Sequence, residues 1–393
     1  MNDPQMVTGD PAELMIDRVD AFAVSFPIAK EESVTFGAGR AVKRDAVVVR
    51  VTTREGIVGW GEAHHGRAHT AIAELINTTL ADLVVGMDAA DVVGAWQRIY
   101  RGQLASMGTG TAAVLGMSGI DMALWDIRGK ALGWPLYRLL GGRARAIPAY
   151  AGGVALGWQP PEALAGEAGR CLEHGYRALK LRLGDTPARD IARVQAVRAA
   201  VGDDITLMAD ANTAYSLADA RRVVPALDEL GVAWLEEPFT PDDRRAYATA
   251  RGYGRVPFAA GENHYTRFAF TRLIEEGAVD ILQPDLSKTG GITEAARVAA
   301  LAAAHGLWLC PHSSMTGLNM AASIHFLAAQ EGDGYFEGDA SLRNRFRDEM
   351  VTSPFSIGAD GCVRPLEAPG IGVMVNEEFL AAHPPIPGPA YVR

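Results

Sequence analysis

ALKLRLG, residues 178–184, decides how the chain is built. Leu179, Leu181 and Leu183 alternate with Lys180 and Arg182, the period-two pattern of a strand whose successive side chains point to opposite faces. One face is apolar and the other carries two long cations. In a buried parallel sheet those cations enter the interior, which is costly unless anionic partners meet them.

The chain around this stretch supplies such a sheet. From residue 147 the segments IPAYAGGV, ALKLRL, ITLMADAN, AWLEEP, PFAAGEN, ILQPDL, LWLCPHSS and GYFEGD alternate with helical stretches such as 188–202 and 292–306. Short apolar strands separated by longer amphipathic segments indicate parallel strands joined by crossover helices. The pattern predicts an α/β fold, a modified (β/α)8-type TIM barrel over residues 147–358, with an open doubly wound sheet as the competing arrangement. Residues 1–146 read differently. IDRVDAFAVSF and DAVVVRVTTREGIVGWGEA have the pattern of antiparallel strands with a turn at Glu55-Gly56, followed by helices ending in a run over 118–142. This is an N-terminal α+β capping domain. Residues 359–393 form a C-terminal tail, in which EAPGIGVMVNEEFL (367–380) is expected to return to the cap.

Composition narrows the function. The 393 residues are 48% hydrophobic and 21% charged, a globular balance. The net charge is −10 and no Lys/Arg run stands out, so neither nucleic acid nor an anionic membrane is expected as a partner. Cys171, Cys310 and Cys362 are widely spaced with no CxxC, which points to reduced thiols and a cytoplasmic protein. MNDPQMVTGDPAELM at the start lacks the basic-then-apolar pattern of a signal peptide. No run reaches the ~18 apolar residues of a membrane span.

Ionisable residues recur at the C-terminal ends of consecutive strands: Lys180 and Arg182, then Asp210, Glu236, Glu262, Asp285, His312 and Glu337. From Asp210 on they are 23 to 27 residues apart, one strand–helix unit each, which puts them at one height on the barrel. In barrel enzymes that C-terminal mouth carries the active site. Three converging carboxylates repel one another, and a hard divalent cation resolves the conflict. Asp210, Glu236 and Glu262 are therefore the expected ligands, and with no thiol or paired histidines among them Mg²⁺ is favoured over Zn²⁺. Lys180 and Arg182 would face this cluster and a bound anion. Asp285 and His312 lie one strand apart, so the carboxylate can fix the imidazole tautomer and raise its basicity.

At these residues the chain resembles the enolase superfamily, and within it the mandelate racemase subgroup. The resemblance implies magnesium ligands at Asp210, Glu236 and Glu262, an Asp285–His312 dyad, and a hydrogen bond from Glu337 at the substrate carboxylate. It implies abstraction of the proton α to a carboxylate, and an oligomeric protein. That pairing of a Lys or His base with Mg²⁺ is a known property of the superfamily. One position departs from the family pattern, in which strand two commonly reads Lys-x-Lys. Here Arg182 replaces the second lysine, and arginine, with a reference pKa of at least ~12.5, is a poor base. His312 is left as the one well-placed base, with Lys180 in reserve. The expected reaction is therefore dehydration of a sugar-derived acid to a 2-keto-3-deoxy acid, with a racemase, epimerase or lactone cycloisomerase as alternative. A metal-free lyase using Lys180 as a Schiff base, and a non-catalytic relative, fit the carboxylate set less well. FPIAKEESVTFGAGR (26–40) and AHHGR (63–67) have the polar, glycine-bearing character of cap loops over the substrate. Asn212, Asn263 and His64 are the candidate substrate contacts.

Overall fold

The computed structural model describes residues 14–393, so nearly all of the stretch read for a signal sequence lies outside the described residues. Ile16–Pro27 (β1), Lys43–Thr53 (β4) and Val58–Ala63 (β5) form an antiparallel sheet in the order β1-β4-β5, with the Glu55-Gly56 turn before β5. Between β1 and β4 lie two short strands, Thr35–Phe36 (β2) and Gly39–Ala41 (β3). The helix Thr111–Leu132 is buried on all sides from Ala113 to Ile127 and therefore lacks an amphipathic pattern. It lies directly on β5: a Cβ at Gly59 would stand 2.1 Å from the carbonyl oxygen of Ala123, and one at Gly61 2.1 Å from that of Gly119. The helix expected to run to residue 142 stops at Leu132. Gly133 takes a left-handed conformation (φ 67°) and Pro135 follows, so the chain restarts as the separate helix Leu136–Leu139.

Eight parallel strands follow: Ile147–Gly152 (β6), Ala178–Arg182 (β7), Thr206–Asp210 (β8), Val232–Glu236 (β9), Phe258–Ala260 (β10), Ile281–Leu282 (β11), Trp308–Leu309 (β12) and Phe336–Asp339 (β13). They are hydrogen-bonded in the order β12-β11-β10-β9-β8-β7-β6-β13. From β6 to β12 each strand lies beside its sequence neighbour, and β13 pairs with β6, which rules out the open doubly wound order. No ladder joins β12 to β13. They close the barrel instead through the hydroxyl of Ser313, which donates to the carbonyl of Glu337 at 2.9 Å, and through Gly334, where a Cβ would lie 2.0 Å from the Leu309 oxygen. The fold is a TIM barrel with an antiparallel cap.

Two short strands of the tail have separate destinations. Cys362–Val363 (β14) pairs antiparallel with the start of β6, and Tyr391–Val392 (β15) pairs with β3 of the cap. Between them Glu377 meets Arg50 at 2.7 Å, and the backbone N–H of Ser25 donates to the carbonyl of His383. Residues 26–40 hold a short 3-10 turn (Lys30–Glu32) and the β2–β3 hairpin, which β15 extends to three strands. None of the described helices is long and apolar enough to cross a membrane. Cys171, Cys310 and Cys362 are all unbridged.

Inside the barrel the side chains form layers. Tyr150, Ala178, Met208, Trp234, Ala259 and Ile281, one from each of six strands, pack with Cys310 just past β12 and with Tyr335 as an apolar plug. Two residues further along, the same inward face carries Lys180, Asp210, Glu236, Gln283, His312 and Glu337. Strand periodicity alone thus lifts the ionisable layer onto an apolar floor.

Candidate active site

Lys180 and Arg182 point inward and are 0% and 5% exposed, while Leu179, Leu181 and Leu183 belong to the main hydrophobic core outside the strand. Lys180 Nζ lies 2.9 Å from Glu236 Oε1, 3.0 Å from Glu337 Oε1 and 3.7 Å from Asp210 Oδ2. Burial disfavours its ammonium form, but Glu236, Glu337 and Asp210 outweigh that and raise its pKa. Lys180 is held as a cation. Arg182 pairs with Asp210 and donates to the Gly153 carbonyl at 2.5 Å, while its guanidinium lies 5.4 Å from the ring centroid of Phe36 in the cap. These are the partners that the two buried cations require.

Asp285 and His312 form the expected dyad, with His312 Nδ1 2.6 Å from Asp285 Oδ2. The other oxygen of Asp285 accepts from the Ser287 N–H and hydroxyl and from Asn319 Nδ2 at 3.0 Å. The carboxylate is fixed, so Nδ1 carries the proton and Nε2 faces the substrate side. Here Nε2 lies 2.9 Å from Glu262 Oε2. Burial opposes the imidazolium, but Glu262, Glu337 and the Asp285 hydrogen bond raise the His312 pKa well above its ordinary value. Glu337 is fully buried. Burial alone would raise its pKa, but Lys180, His312 and Arg182 bring it down to about 2. It is an ionised acceptor that takes the Gly153 N–H at 3.0 Å and anchors Lys180 beneath the cavity.

Asp210, Glu236 and Glu262 sit at or just past the ends of the adjacent strands β8, β9 and β10, with Asp210 and Glu236 in direct register. Each is turned onto a base: Asp210 onto Arg182, Glu236 onto Lys180, and Glu262 onto His312 and Lys288, the last at 3.0 Å. As they lie, no three acidic, cysteine or histidine side chains among the described residues converge as a metal-binding group. Their chemistry nonetheless fits a hard divalent cation, being all oxygen and one per strand. Crowding supports the fit. Burial, with Asp210, Glu337 and Glu262 nearby, raises Glu236 to about 7 against the pull of Lys180, and burial with Glu262 and Asp210 raises Glu237 well above the carboxylate range.

A cavity of about 600 Å3 opens above this layer. Arg182, Asn212, Glu262, Asn263, His312 and His64 line it, whereas Lys180, Asp210, Glu236, Asp285 and Glu337 lie beneath or behind its surface. Asn212 donates to Asp210 at 3.1 Å, and Asn263 to Glu237 at 2.8 Å and Glu262 at 3.3 Å, so both amides brace the carboxylates. Burial, Lys288 and His65 hold His64 well below its ordinary pKa, leaving a neutral ring in the wall. Glu237 also lines the cavity, although the sequence reading favoured its neighbour. It occupies the left-handed region (φ 38°), as do Asn212 (45°) and Thr213 (64°). Such strain gathers where a surrounding structure holds a functional loop in place. Lys288 and Gln283 were missed as well. Gln283 was legible, since it stands two residues before Asp285 on the inward face, and its amide donates to Glu236 at 2.7 Å.

Residues 20–141 match the mandelate racemase / muconate lactonizing enzyme N-terminal domain, and residues 163–379 match the enolase C-terminal domain-like family. The chain belongs to the enolase superfamily, in its mandelate racemase subgroup. A D-galactarolactone cycloisomerase from Agrobacterium fabrum is 33% identical over 86% of this chain and 91% of its own length. A D-galactonate dehydratase from Ralstonia nicotianae is 34% identical over 84% of this chain and 89% of its own. The crystal structure of an enolase superfamily member from Polaromonas sp. JS666 superposes with a TM-score of 0.93 at 54% identity, covering 96% of this chain and all of that one. A racemase from Streptomyces coelicolor, 29% identical with a TM-score of 0.85 over 94% of this chain and 99% of that one, was crystallised with bound magnesium. Members of this group named as relatives are hydro-lyases and isomerases, and this chain is an enzyme of that kind.

Proposed function

We propose that the protein dehydrates a sugar-derived acid to a 2-keto-3-deoxy acid, with Mg²⁺ held by Asp210, Glu236 and Glu262. The observation that carries this reading is the asymmetry of the cavity. One His–Asp dyad faces it, and the strand that would offer a second base offers Arg182, locked to Asp210, above a Lys180 bound to three carboxylates. When bound, Mg²⁺ supplies positive charge beside the substrate carboxylate as the α-carbon loses its proton.

The chain's own residues do the rest. Once Glu262 no longer pairs with Nε2, the neutral His312 ring takes the α-proton there, and Asp285 steadies the imidazolium through Nδ1. The electron pair left at Cα forms a Cα–Cβ double bond as the Cβ–oxygen bond breaks. The same imidazolium returns its proton to the departing hydroxyl, which leaves as water, and the enol then ketonises. Lys180 and Arg182 hold fixed positive charge below the carboxylate end, and their ion pairs keep them from competing for the proton. A single base on one face suits a syn elimination and disfavours a two-base racemisation.

A screen of sugar-derived acids with Mg²⁺, read as 2-keto acid by semicarbazide absorbance, tests the proposal. A hit supports dehydration. Products that keep the substrate's mass, with α-proton exchange in deuterated water, would overturn it in favour of epimerisation or the lactone cycloisomerisation named for one relative.

A further inference from the structure

One wall of the cavity plays no part in this chemistry. The short strand β15 pairs with β3 in the register Tyr391↔Ala41, which brings Tyr391 and Arg393 to the cavity lining. From the floor outward, side chains form a continuous stack. The Arg182 guanidinium lies 5.4 Å from the Phe36 ring, Phe36 meets Tyr391 edge-on at 5.4 Å, and the Arg67 guanidinium lies 5.3 Å from the Tyr391 ring. Two cation–π contacts and one aromatic pair thus run from the catalytic layer to the mouth.

Four Arg and Lys side chains line the cavity: Arg67, Arg182, Lys288 and Arg393. Arg182 is neutralised by Asp210 and Lys288 by Glu262. Arg67 and Arg393 have no ion-pair partner among the described residues. Arg67 is also held in an unusual conformation. It follows Gly66 with a φ of 59°, and its N–H donates to Nδ1 of the buried His65 at 3.1 Å. A long side chain in the left-handed region persists only where its surroundings impose it.

We infer that Arg67, Tyr391 and Arg393 form a subsite for a second anionic group, carboxylate or phosphate, at the end of the acid remote from His312. The inference rests on the reading that the reacting carboxylate occupies the catalytic layer. The substrate is then a dianion, an aldarate or a phosphorylated aldonate. Arg67 forks to the terminal oxygens, and Tyr391 holds its guanidinium in place while offering a phenolic hydroxyl.

The test is calorimetric binding to the Mg²⁺-loaded protein of matched pairs: galactarate against galactonate, glucarate against gluconate, and 6-phosphogluconate against gluconate. At least one dianion should bind about tenfold or more tighter than its mono-acid. An R67M/R393M variant with unchanged circular dichroism should lose that preference, while mono-acid affinity changes less than about threefold. The carboxylate and phosphate pairs separate the two sources of the anion. A mono-acid bound as tightly as every dianion, or a preference that survives in the variant, overturns the subsite. If the variant loses the preference but no compound yields a 2-keto acid, the subsite stands and dehydration falls. If a mono-acid is dehydrated equally by wild type and variant, dehydration stands and the subsite falls.

Discussion

Glu62, on the last strand of the cap, accepts hydrogen bonds from both the hydroxyl of Thr316, at 2.5 Å, and its backbone N–H, at 3.2 Å. Thr316 caps the helix Gly317–Ala328, and Asn319 in its first turn donates to Asp285 of the dyad. A cap residue therefore stands two contacts behind the Asp285 carboxylate, at the start of the helix that supports it.

Burial raises the Glu62 pKa from 4.5 to about 8, against the lowering effect of its Thr316 hydrogen bonds. The folded state therefore binds a proton that the unfolded state releases between those values. Stability from this group is full below pH 4.5 and is lost as pH rises through 8. Glu62→Gln mimics the protonated form and should remove that slope. Melting temperatures across pH 5 to 9 should fall less for the variant than for wild type. Parallel curves would show that Glu62 is ionised in the fold.

His312→Asn should cut turnover by about 10²- to 10⁴-fold, the usual contribution of a general acid–base group. Exchange of the α-proton in deuterated water should vanish with it. Exchange that persists would transfer the base to Lys180.

Lys180→Met leaves Glu236 and Glu337 buried without their shared cation. Breaking a buried pair in this way costs about 3–5 kcal/mol, and urea unfolding should show a loss of that order. An unchanged midpoint would mean that water or a bound cation already neutralises the carboxylates.

Arg182→Lys should fold, since Asp210 keeps a cationic partner. If arginine suppresses chemistry on the second face, this variant gains inversion at Cα. Chiral analysis of recovered substrate decides it: no inversion means that Lys180 and its carboxylates, rather than residue 182, set the one-faced chemistry.

Glu236→Gln should weaken Mg²⁺ binding measured by calorimetry, and EDTA should abolish turnover in wild type. Affinity unchanged in Glu236→Gln, with loss in Glu237→Gln, would move the ligand one residue along the strand end to the side chain that lines the cavity.

The alternation of parallel strands and helices, the antiparallel cap and the height of the ionisable layer were legible in the sequence, whereas closure into a barrel rather than an open sheet came from the strand order. Strand alternation and a repeat of 23 to 27 residues are properties of local spacing, and inward parity at Lys180, Asp210, Glu236, His312 and Glu337 follows from them. The same parity would have found Gln283. Which charges neutralise which became visible with the packed strands in place. Lys180 serves three carboxylates from separate strands, Lys288 reaches back to Glu262, and Asn319 comes to Asp285 from a helix 34 residues on. Packing also brought Tyr391 beside Phe36 and Arg67. Local periodicity fixes the direction in which a side chain points. Its partner depends on how the strands curl and where the tail docks, and both are set by packing between segments far apart in the chain.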